Sequence, residues 1–420
     1  MNPLMVSEYI PPELVLFDVV IFDEASQIRT EDAISSVMRA KQVIVVGDMQ
    51  QMPPSSFFSG ITSDDDDENQ NEAPYESFLA ECGKFMKEFT LKWHYRSQDE
   101  SLIDFSNKKF YLSKLVTFPS PVRDKNRGVC FHHVRDGVYE PGKKGQNIKE
   151  IETVTELTLC HVQQNINLSL GIIAFSKKQA SAIQKKIEEL TQDNDELAEF
   201  CRDDSEKFFV KNLENVQGDE ADVIILSFGY GRDKEGKFER KFGPINSQGG
   251  ERRLNVAITR AKHKLILVAS ITPDMLSGVY SEGVICFKEY FEYIQQVERE
   301  KTEETISLIS SSNSLLVQDI AYALQKEGYE VETSLGASSY PIDLAVKNKQ
   351  QINEFILGIE CDGFTYNKYS TARDRDRLRR MVLEKMNWQI HRIWSKEWYH
   401  NRDAQIKLLL ELLKQLEVQK

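Results

Sequence analysis

The chain has 420 residues, which is enough for two or three domains. It is 40% apolar and 28% charged, so it can bury sizeable cores and is not disordered throughout. A formal net charge of −13 argues weakly against a nucleic-acid binder, but the charge is uneven. Residues 301–420 balance 17 Lys/Arg against 17 Asp/Glu, and part of the remaining deficit lies in Asp64-Asp65-Asp66-Asp67-Glu68, which reads as a solvated loop. No run approaches the length that spans a bilayer, and Met1-Asn2-Pro3-Leu4 lacks the basic and apolar regions of a signal peptide. The six cysteines form no C-x-x-C pair, so neither zinc nor a disulfide framework is expected, and a reducing cytoplasm fits best.

In chain order, the first expected strand is residues 19–22, and it ends in Asp23-Glu24-Ala25-Ser26-Gln27. A buried strand ending in paired carboxylates is how a nucleotide hydrolase holds magnesium and aims a water. The partner of such a site is G-x-x-x-x-G-K-[ST], whose amides and lysine grip phosphates. Gly83-Lys84, Gly142-Lys143 and Gly236-Lys237 are followed by Phe85, Lys144 and Phe238, so none fits the pattern. The second strand, residues 43–46, runs into Gly47-Asp48-Met49-Gln50-Gln51-Met52-Pro53-Pro54, and Trp93-His94-Tyr95-Arg96-Ser97 follows. A strand at 171–175 precedes a helix at 177–190. Asn215-Val216-Gln217-Gly218-Asp219-Glu220 leads into a strand at 223–227, and Arg253-Leu254-Asn255-Val256-Ala257-Ile258-Thr259-Arg260-Ala261-Lys262 into one at 265–268. This alternation predicts an α/β fold with parallel sheets covered on both faces. Phe287, Tyr290, Phe291 and Tyr293 have helical spacing and are expected to pack against that domain, whereas His132-His133 is expected at a strand or loop surface.

Residues 305–314 read as a linker. Beyond it come a helix at 315–327, a hairpin of 342–346 and 355–361, a charged helix at 372–386, a strand at 389–394 and a closing amphipathic helix at 403–418. On the hairpin, Glu360 and Asp362 share a face because strand side chains alternate, and Asp343 on the neighbouring strand can converge on them. Three such carboxylates repel unless a cation lies between them, and oxygen ligands suit Mg²⁺ or Mn²⁺. Arg373, Arg375, Arg377, Arg379 and Arg380 crowd the following helix, where they can grip phosphates. Spacing alone leaves a second reading open, with the acids as turn residues and the arginines laced to Asp374 and Asp376. Trp388, Trp394 and Trp398 are expected to pack in the core, Trp394 on its apolar strand.

The ordered set of motifs in residues 19–262 resembles superfamily 1 helicases, specifically large bacterial helicase-related proteins. Gly249-Gly250-Glu251-Arg252-Arg253-Leu254-Asn255-Val256 looks like that bacterial group in particular. The resemblance implies that Asp23 holds Mg²⁺ and Glu24 orients the attacking water. It implies that Gln27 and Gln51 sense the γ-phosphate of ATP, and that Arg96 and Arg260 are arginine fingers. Gln217, Gly218 and Glu220 would face the nucleotide and couple it to strand binding. Residues 1–90 would be the C-terminal part of one RecA-like domain, lacking the phosphate loop, and 91–304 a complete second one. The chain is then expected not to turn over ATP by itself. An N-terminal helicase half encoded separately, a truncated remnant and an incomplete sequence each account for this. Exposed strand edges and apolar faces are expected in residues 1–90.

Residues 315–400 resemble a restriction-endonuclease-like domain of the very-short-patch-repair type, on Ile342-Asp343-Leu344, Gly358-Ile359-Glu360-Cys361-Asp362-Gly363, Ala372-Arg373-Asp374-Arg375-Asp376-Arg377 and His391-Arg392-Ile393-Trp394-Ser395. That implies Asp343, Glu360 and Asp362 as metal ligands in DNA cleavage, with Arg373, Arg377 and Arg380 on the nucleic acid. Many such sites read Glu-x-Lys, where Asp362 stands here, so Lys368 or a second metal would take the lysine's role. Asp319 is the nearest candidate for the acid often found on the first helix. DNA is the expected partner, with RNA not excluded. A role in repair or defence follows from the resemblance alone.

Overall fold

A computed structural model describes residues 2–11, 17–54, 77–124, 126–142, 145–202, 207–278, 280–302, 314–336, 341–351, 353–363 and 371–419. The acidic run at 64–68, nearly all of the expected linker, and Lys368 lie outside the described residues.

The chain opens with α1 (Pro3–Tyr9), β1 (Phe17–Phe22), α2 (Thr30–Val37), β2 (Ala40–Val45) and α3 (Phe78–Gly83). β1 and β2 form a two-stranded parallel sheet. Parallel sheets are normally covered on both faces, yet in β1 only Phe22 is buried, and Ile21 is 65% exposed. Phe17, Val19, Ile44 and Val46 are exposed as well, so among the described residues this unit presents an uncovered apolar surface.

Next come α4 (Ser101–Lys109), β3 (Gly128–His133), β4 (Tyr139–Glu140), β5 (Gln146–Asn147), α5 (Ile148–Asn165), β6 (Leu170–Ala174), α6 (Lys177–Thr191), α7 (Asp195–Phe200), β7 (Phe208–Asn212), β8 (Ala221–Ser227), α8 (Gly250–Ile258), β9 (Ala261–Ala269) and α9 (Glu282–Thr302). Five of these strands form an all-parallel sheet in the order β3-β9-β8-β6-β7. Every residue of β6 is buried, as expected for a central strand covered on both faces. One face packs on α8 and α9, where Phe287, Tyr290 and Phe291 are buried with Phe175 and Phe228. The other packs on α5, α6 and α7. His132 and His133 lie exposed at the end of β3.

The last unit holds α10 (Leu315–Lys326), β10 (Val331–Leu335), β11 (Ile342–Lys347), β12 (Phe355–Cys361), α11 (Arg379–Lys385), β13 (Ile390–Ile393), α12 (Ser395–His400) and α13 (Arg402–Gln419). Its sheet runs β10-β11-β12-β13, antiparallel except for the parallel β12–β13 pair. A π-helical turn, Asp374–Leu378, leads directly into α11, so the expected charged helix is not uniform.

This unit does not hang free of the five-stranded sheet. Val116 and Phe118 share one apolar cluster with Ile342, Ala345, Phe355, Leu383, Met386 and Trp388. Phe355 N donates to Pro121 O, Arg123 N to Asn353 O, and Trp388 Nε1 to Pro119 O at 2.7 Å. Trp388 and Trp398 are fully buried, as expected, but Trp394 is 38% exposed. It follows the last residue of β13 and caps α12 instead of filling the core.

Candidate nucleotide and nucleic-acid site

The first half of the site is built where β1 ends. Val46 N donates to Phe22 O and Ala25 N to Val46 O, so the strand ends lock the turn that follows. Gly47 sits against this turn, and a Cβ there would lie 2.9 Å from Leu79 and 3.1 Å from the Ala25 and Ser26 nitrogens. Glu24 takes a left-handed conformation, φ 51°, before the 3-10 turn Ala25–Gln27. That geometry turns Glu24 away from the exposed Asp23, whose Oδ1 accepts from the Glu24 amide at 3.0 Å.

The second half comes from the five-stranded sheet. Gln217 Nε2 donates to Glu24 Oε2 at 3.0 Å, joining the two halves. Gly218 has φ +91°, a conformation open mainly to glycine, and it turns the chain between Gln217 and β8. Arg260, at the junction of α8 and β9, is only 4% exposed. Its Nε donates to Val256 O at 2.8 Å, its NH1 to Asp219 O at 3.3 Å and its NH2 to Thr259 Oγ1 at 3.3 Å. Among the described residues no carboxylate ion-pairs with it. Burial lowers its pKa and the nearby Arg96 adds to this, while Glu24, Tyr111 and Glu220 oppose. Glu220 pairs with Lys262 at 2.7 Å and with Arg96 at 3.1 Å, and the Lys262 hydrogen bond leads in holding its carboxyl below the usual range. His94, beside Arg96, is depressed to about 4 by burial and by that guanidinium.

A network that the sequence did not announce ties the halves a second time. Tyr111 OH donates to Asp48 Oδ2 at 2.6 Å, and Gln51 Nε2 donates to the same oxygen at 3.1 Å. Asn255 Nδ2 donates to Tyr111 OH and to Gln50 O, both at 3.0 Å. Burial, then the Asp48 charge, pushes the Tyr111 phenol well above its ordinary pKa. Asp48 and Asn255 lie inside quoted motifs, but Tyr111 carries no sequence signal.

The structure therefore brings Glu24, Gln217, Gln51 and Arg260 into one inter-sheet region, with the Arg96–Glu220 pair at its edge and Gln27 exposed on the turn. Gln51 Oε1 and Gln217 Oε1 are buried with no hydrogen-bond partner among the described residues. Buried polar atoms are rarely left unsatisfied, so they mark a place for a polar ligand or water. A buried cation tied only to neutral oxygens calls for an anion nearby. Asp23 supplies one exposed carboxylate, which suits Mg²⁺, an ion that completes its shell with phosphate oxygens and water.

The C-terminal carboxylates are arranged differently. The register places Leu344 opposite Ile359, which sets Asp343 beside Glu360 on one face. Glu360 is 7% exposed, and each of its oxygens meets a guanidinium: Arg379 Nε at 2.6 Å on Oε1 and Arg392 NH2 at 3.1 Å on Oε2. Arg392 NH1 also donates to Asp376 at 2.8 Å. Asp343 Oδ2 accepts from Cys361 N at 2.8 Å. Asp362 accepts from Ser395 N and Oγ, both at 2.7 Å, at the start of α12. Among the described residues no group of three or more His, Cys, Asp or Glu side chains is placed to hold a metal ion. As arranged, Asp343, Glu360 and Asp362 do not fit a shared cation. Asp319 faces α13 instead, held by Arg402 at 2.8 Å and by Trp398 Nε1. Arg373, Arg377 and Arg380 are exposed, Arg380 pairing with Glu384 at 2.7 Å.

Comparison with known proteins matches this layout. Residues 75–272 match AAA_12, an AAA domain, and residues 317–413 match REase_MTES_1575. The chain is 30% identical to the "Uncharacterized ATP-dependent helicase MG140 homolog" of Mycoplasma pneumoniae, over 96% of this chain and 37% of that protein. It is 30% identical to the "Uncharacterized ATP-dependent helicase MG140" of Mycoplasma genitalium, over 93% and 36%. It is 27% identical to human "DNA replication ATP-dependent helicase/nuclease DNA2", over 61% and 25%. The chain thus spans little more than a third of the length of the first two relatives. It carries a helicase-like AAA domain followed by a restriction-endonuclease-like domain, and its relatives are named as ATP-dependent helicases. No helix among the described residues is long and apolar enough to cross a membrane.

Proposed function

We propose that the chain supplies the water-aiming carboxylate and the second-domain half of an ATP-driven motor on nucleic acid. The observation that carries this is the Glu24–Gln217 hydrogen bond across two sheets, with Arg260 buried nearby and bound, among the described residues, by carbonyl and hydroxyl oxygens. Glu24 orients the attacking water. Arg260 and Arg96 offset the negative charge that builds up on the transferring phosphoryl group. Gln51 and Gln27 read the terminal phosphate, and Asp23 holds Mg²⁺, which neutralises the phosphate oxygens. No G-x-x-x-x-G-K-[ST] run occurs in residues 1–420, so in this reading the phosphate-gripping loop is supplied by other residues. The bare apolar surface of β1 and β2 is where the rest of that sheet would pack. The substrate is DNA, with RNA as the competing polymer.

The test is ATP hydrolysis by the purified chain, with and without single-stranded DNA or RNA. The expected result is no turnover alone, and turnover that Arg260→Ala abolishes once a chain bearing the phosphate loop is added. Nucleic-acid-stimulated hydrolysis by this chain alone, lost in Arg260→Ala, would overturn the dependence on that loop.

A second reading, DNA cleavage by the C-terminal domain, draws on the Asp343–Glu360 juxtaposition and the REase_MTES_1575 match. The described carboxylates do not fit a shared cation, so they are assigned no metal-bound step. Cutting that requires Mg²⁺ or Mn²⁺, and that is lost in Asp343→Ala and Glu360→Ala, supports this reading. A folded chain that does not cut supports a nucleic-acid-binding or docking role for this domain.

A further inference from the structure

Of the three C-terminal acids, Glu360 is the one buried between two guanidinium groups, one on each oxygen. Arg379 is itself 4% exposed, and its NH2 donates to Pro341 O at 3.0 Å, which fixes the guanidinium over the strand. Arg392, on the parallel neighbour β13, lies directly opposite Glu360 in the register. Its second nitrogen is fixed by Asp376, so it cannot swing away without breaking that pair too. A divalent cation approaching either Glu360 oxygen would meet positive charge at hydrogen-bond range, where like charges repel strongly. Arg379 starts α11 directly after the π-helical turn Asp374–Leu378, a type of irregularity that clusters at functional sites.

We infer that Arg379 and Arg392 act as internal counter-ions that close the acidic site of the C-terminal domain to divalent metal in this conformation. The inference concerns cation binding only. It stands whether or not the motor reading holds, because its readout involves neither nucleotide nor cleavage.

The test is Mn²⁺ binding to the full chain, followed by the loss of the free-ion electron paramagnetic resonance signal. Wild type is expected to show no binding that depends on Glu360. Arg392→Gln is expected to gain Mn²⁺ affinity by about tenfold or more, from removal of one adjacent like charge. Adding Glu360→Gln should abolish the gain, and Arg392→Lys, which keeps the charge, should show no Glu360-dependent binding. Binding by wild type that disappears in Glu360→Gln overturns the inference. So does an Arg392→Gln protein with native circular dichroism and no gain. If Arg392→Gln fails to fold, the comparison of wild type with Glu360→Gln decides alone.

Discussion

Glu150 is the most sharply testable residue of the five-stranded domain. It is completely buried at the start of α5, and burial raises its pKa from 4.5 to about 7 despite hydrogen bonds that favour the charged form. Donors to it are Ser270 N at 2.9 Å, Ser270 Oγ at 2.7 Å, Gly229 N at 2.7 Å, Ser227 Oγ at 3.3 Å and Asn147 Nδ2 at 3.2 Å. The folded state therefore holds a proton that the unfolded chain has released between pH 4.5 and about 7. Folding stability must fall as pH rises through that window. At 1.36 kcal/mol per unit, the shift is worth roughly 3 kcal/mol. Glu150→Gln cannot titrate, and it turns an amide N–H₂ toward donors, so it should be destabilised at every pH. Its disadvantage relative to wild type should shrink by roughly 2.5 kcal/mol from pH 5 to pH 8, because only wild type loses stability there. Urea unfolding of both proteins across that range measures the difference, and the shared contributions of all other groups cancel. A disadvantage that stays constant with pH would show that Glu150 is ionised throughout and would refute the argument.

Trp388→Ala should cost about 3–5 kcal/mol, since it empties a fully buried site and orphans the Pro119 carbonyl. Limited proteolysis should then cut between the two α/β units, and an unchanged pattern would deny that Trp388 joins them. Tyr111→Phe keeps the ring but removes the donor to Asp48, so it should cost about 1.5–3 kcal/mol in denaturant unfolding. A neutral outcome there would mean Asp48 is satisfied by water. Gly218→Ala meets no atom within 4 Å, so any loss is backbone strain at φ +91°, about 1–3 kcal/mol in a thermal melt. A variant as stable as the parent would show that the loop relaxes freely.

The sequence revealed the elements whose burial is simplest. β6 and β8 are covered on both faces and read as unbroken apolar runs, and the motif residues stand at strand ends where chemistry marks them. β3, β7 and β10 escaped notice for one physical reason. Each is an edge strand, and its residues are mixed in polarity, as in Val331-Glu332-Thr333-Ser334-Leu335. Trp394 misled because an apolar strand suggests a core side chain, whereas here the strand stops at Ile393 and the tryptophan caps a helix. Tyr111 was invisible because its partners, Asp48 and Asn255, lie 63 and 144 residues away. The arginine cover on Glu360 was hidden for a related reason: five neighbouring arginines look equivalent until the fold buries Arg379 and leaves Arg373, Arg377 and Arg380 in solvent.

The two joints of the molecule differ in kind, and the difference bears on how a motor stroke would travel. The joint between the five-stranded sheet and the C-terminal sheet is apolar. Val116, Phe118, Leu383, Met386 and Trp388 share one core, and Trp93, three residues before Arg96, packs on it with its ring 5.4 Å from Phe118. Parting these surfaces would expose them to water, so the two units should move as one body. The joint to β1 and β2 contains polar links of another kind: Glu24 with Gln217, Asp48 with Tyr111, Gln50 with Asn255. Two of these links end on carboxylates, so opening that joint would cost about 1.5–3 kcal/mol for each of those bonds, without the exposure of a shared apolar core. Arg96 lies between the two joints. Whatever repositions it against Glu220 acts on a segment whose other end, at Trp93, is fixed in the C-terminal core. The same core receives Leu383 and Met386, from and just beyond the helix that begins with Arg379. Trp93 and the helix that begins with the Glu360-covering Arg379 therefore meet in one apolar cluster.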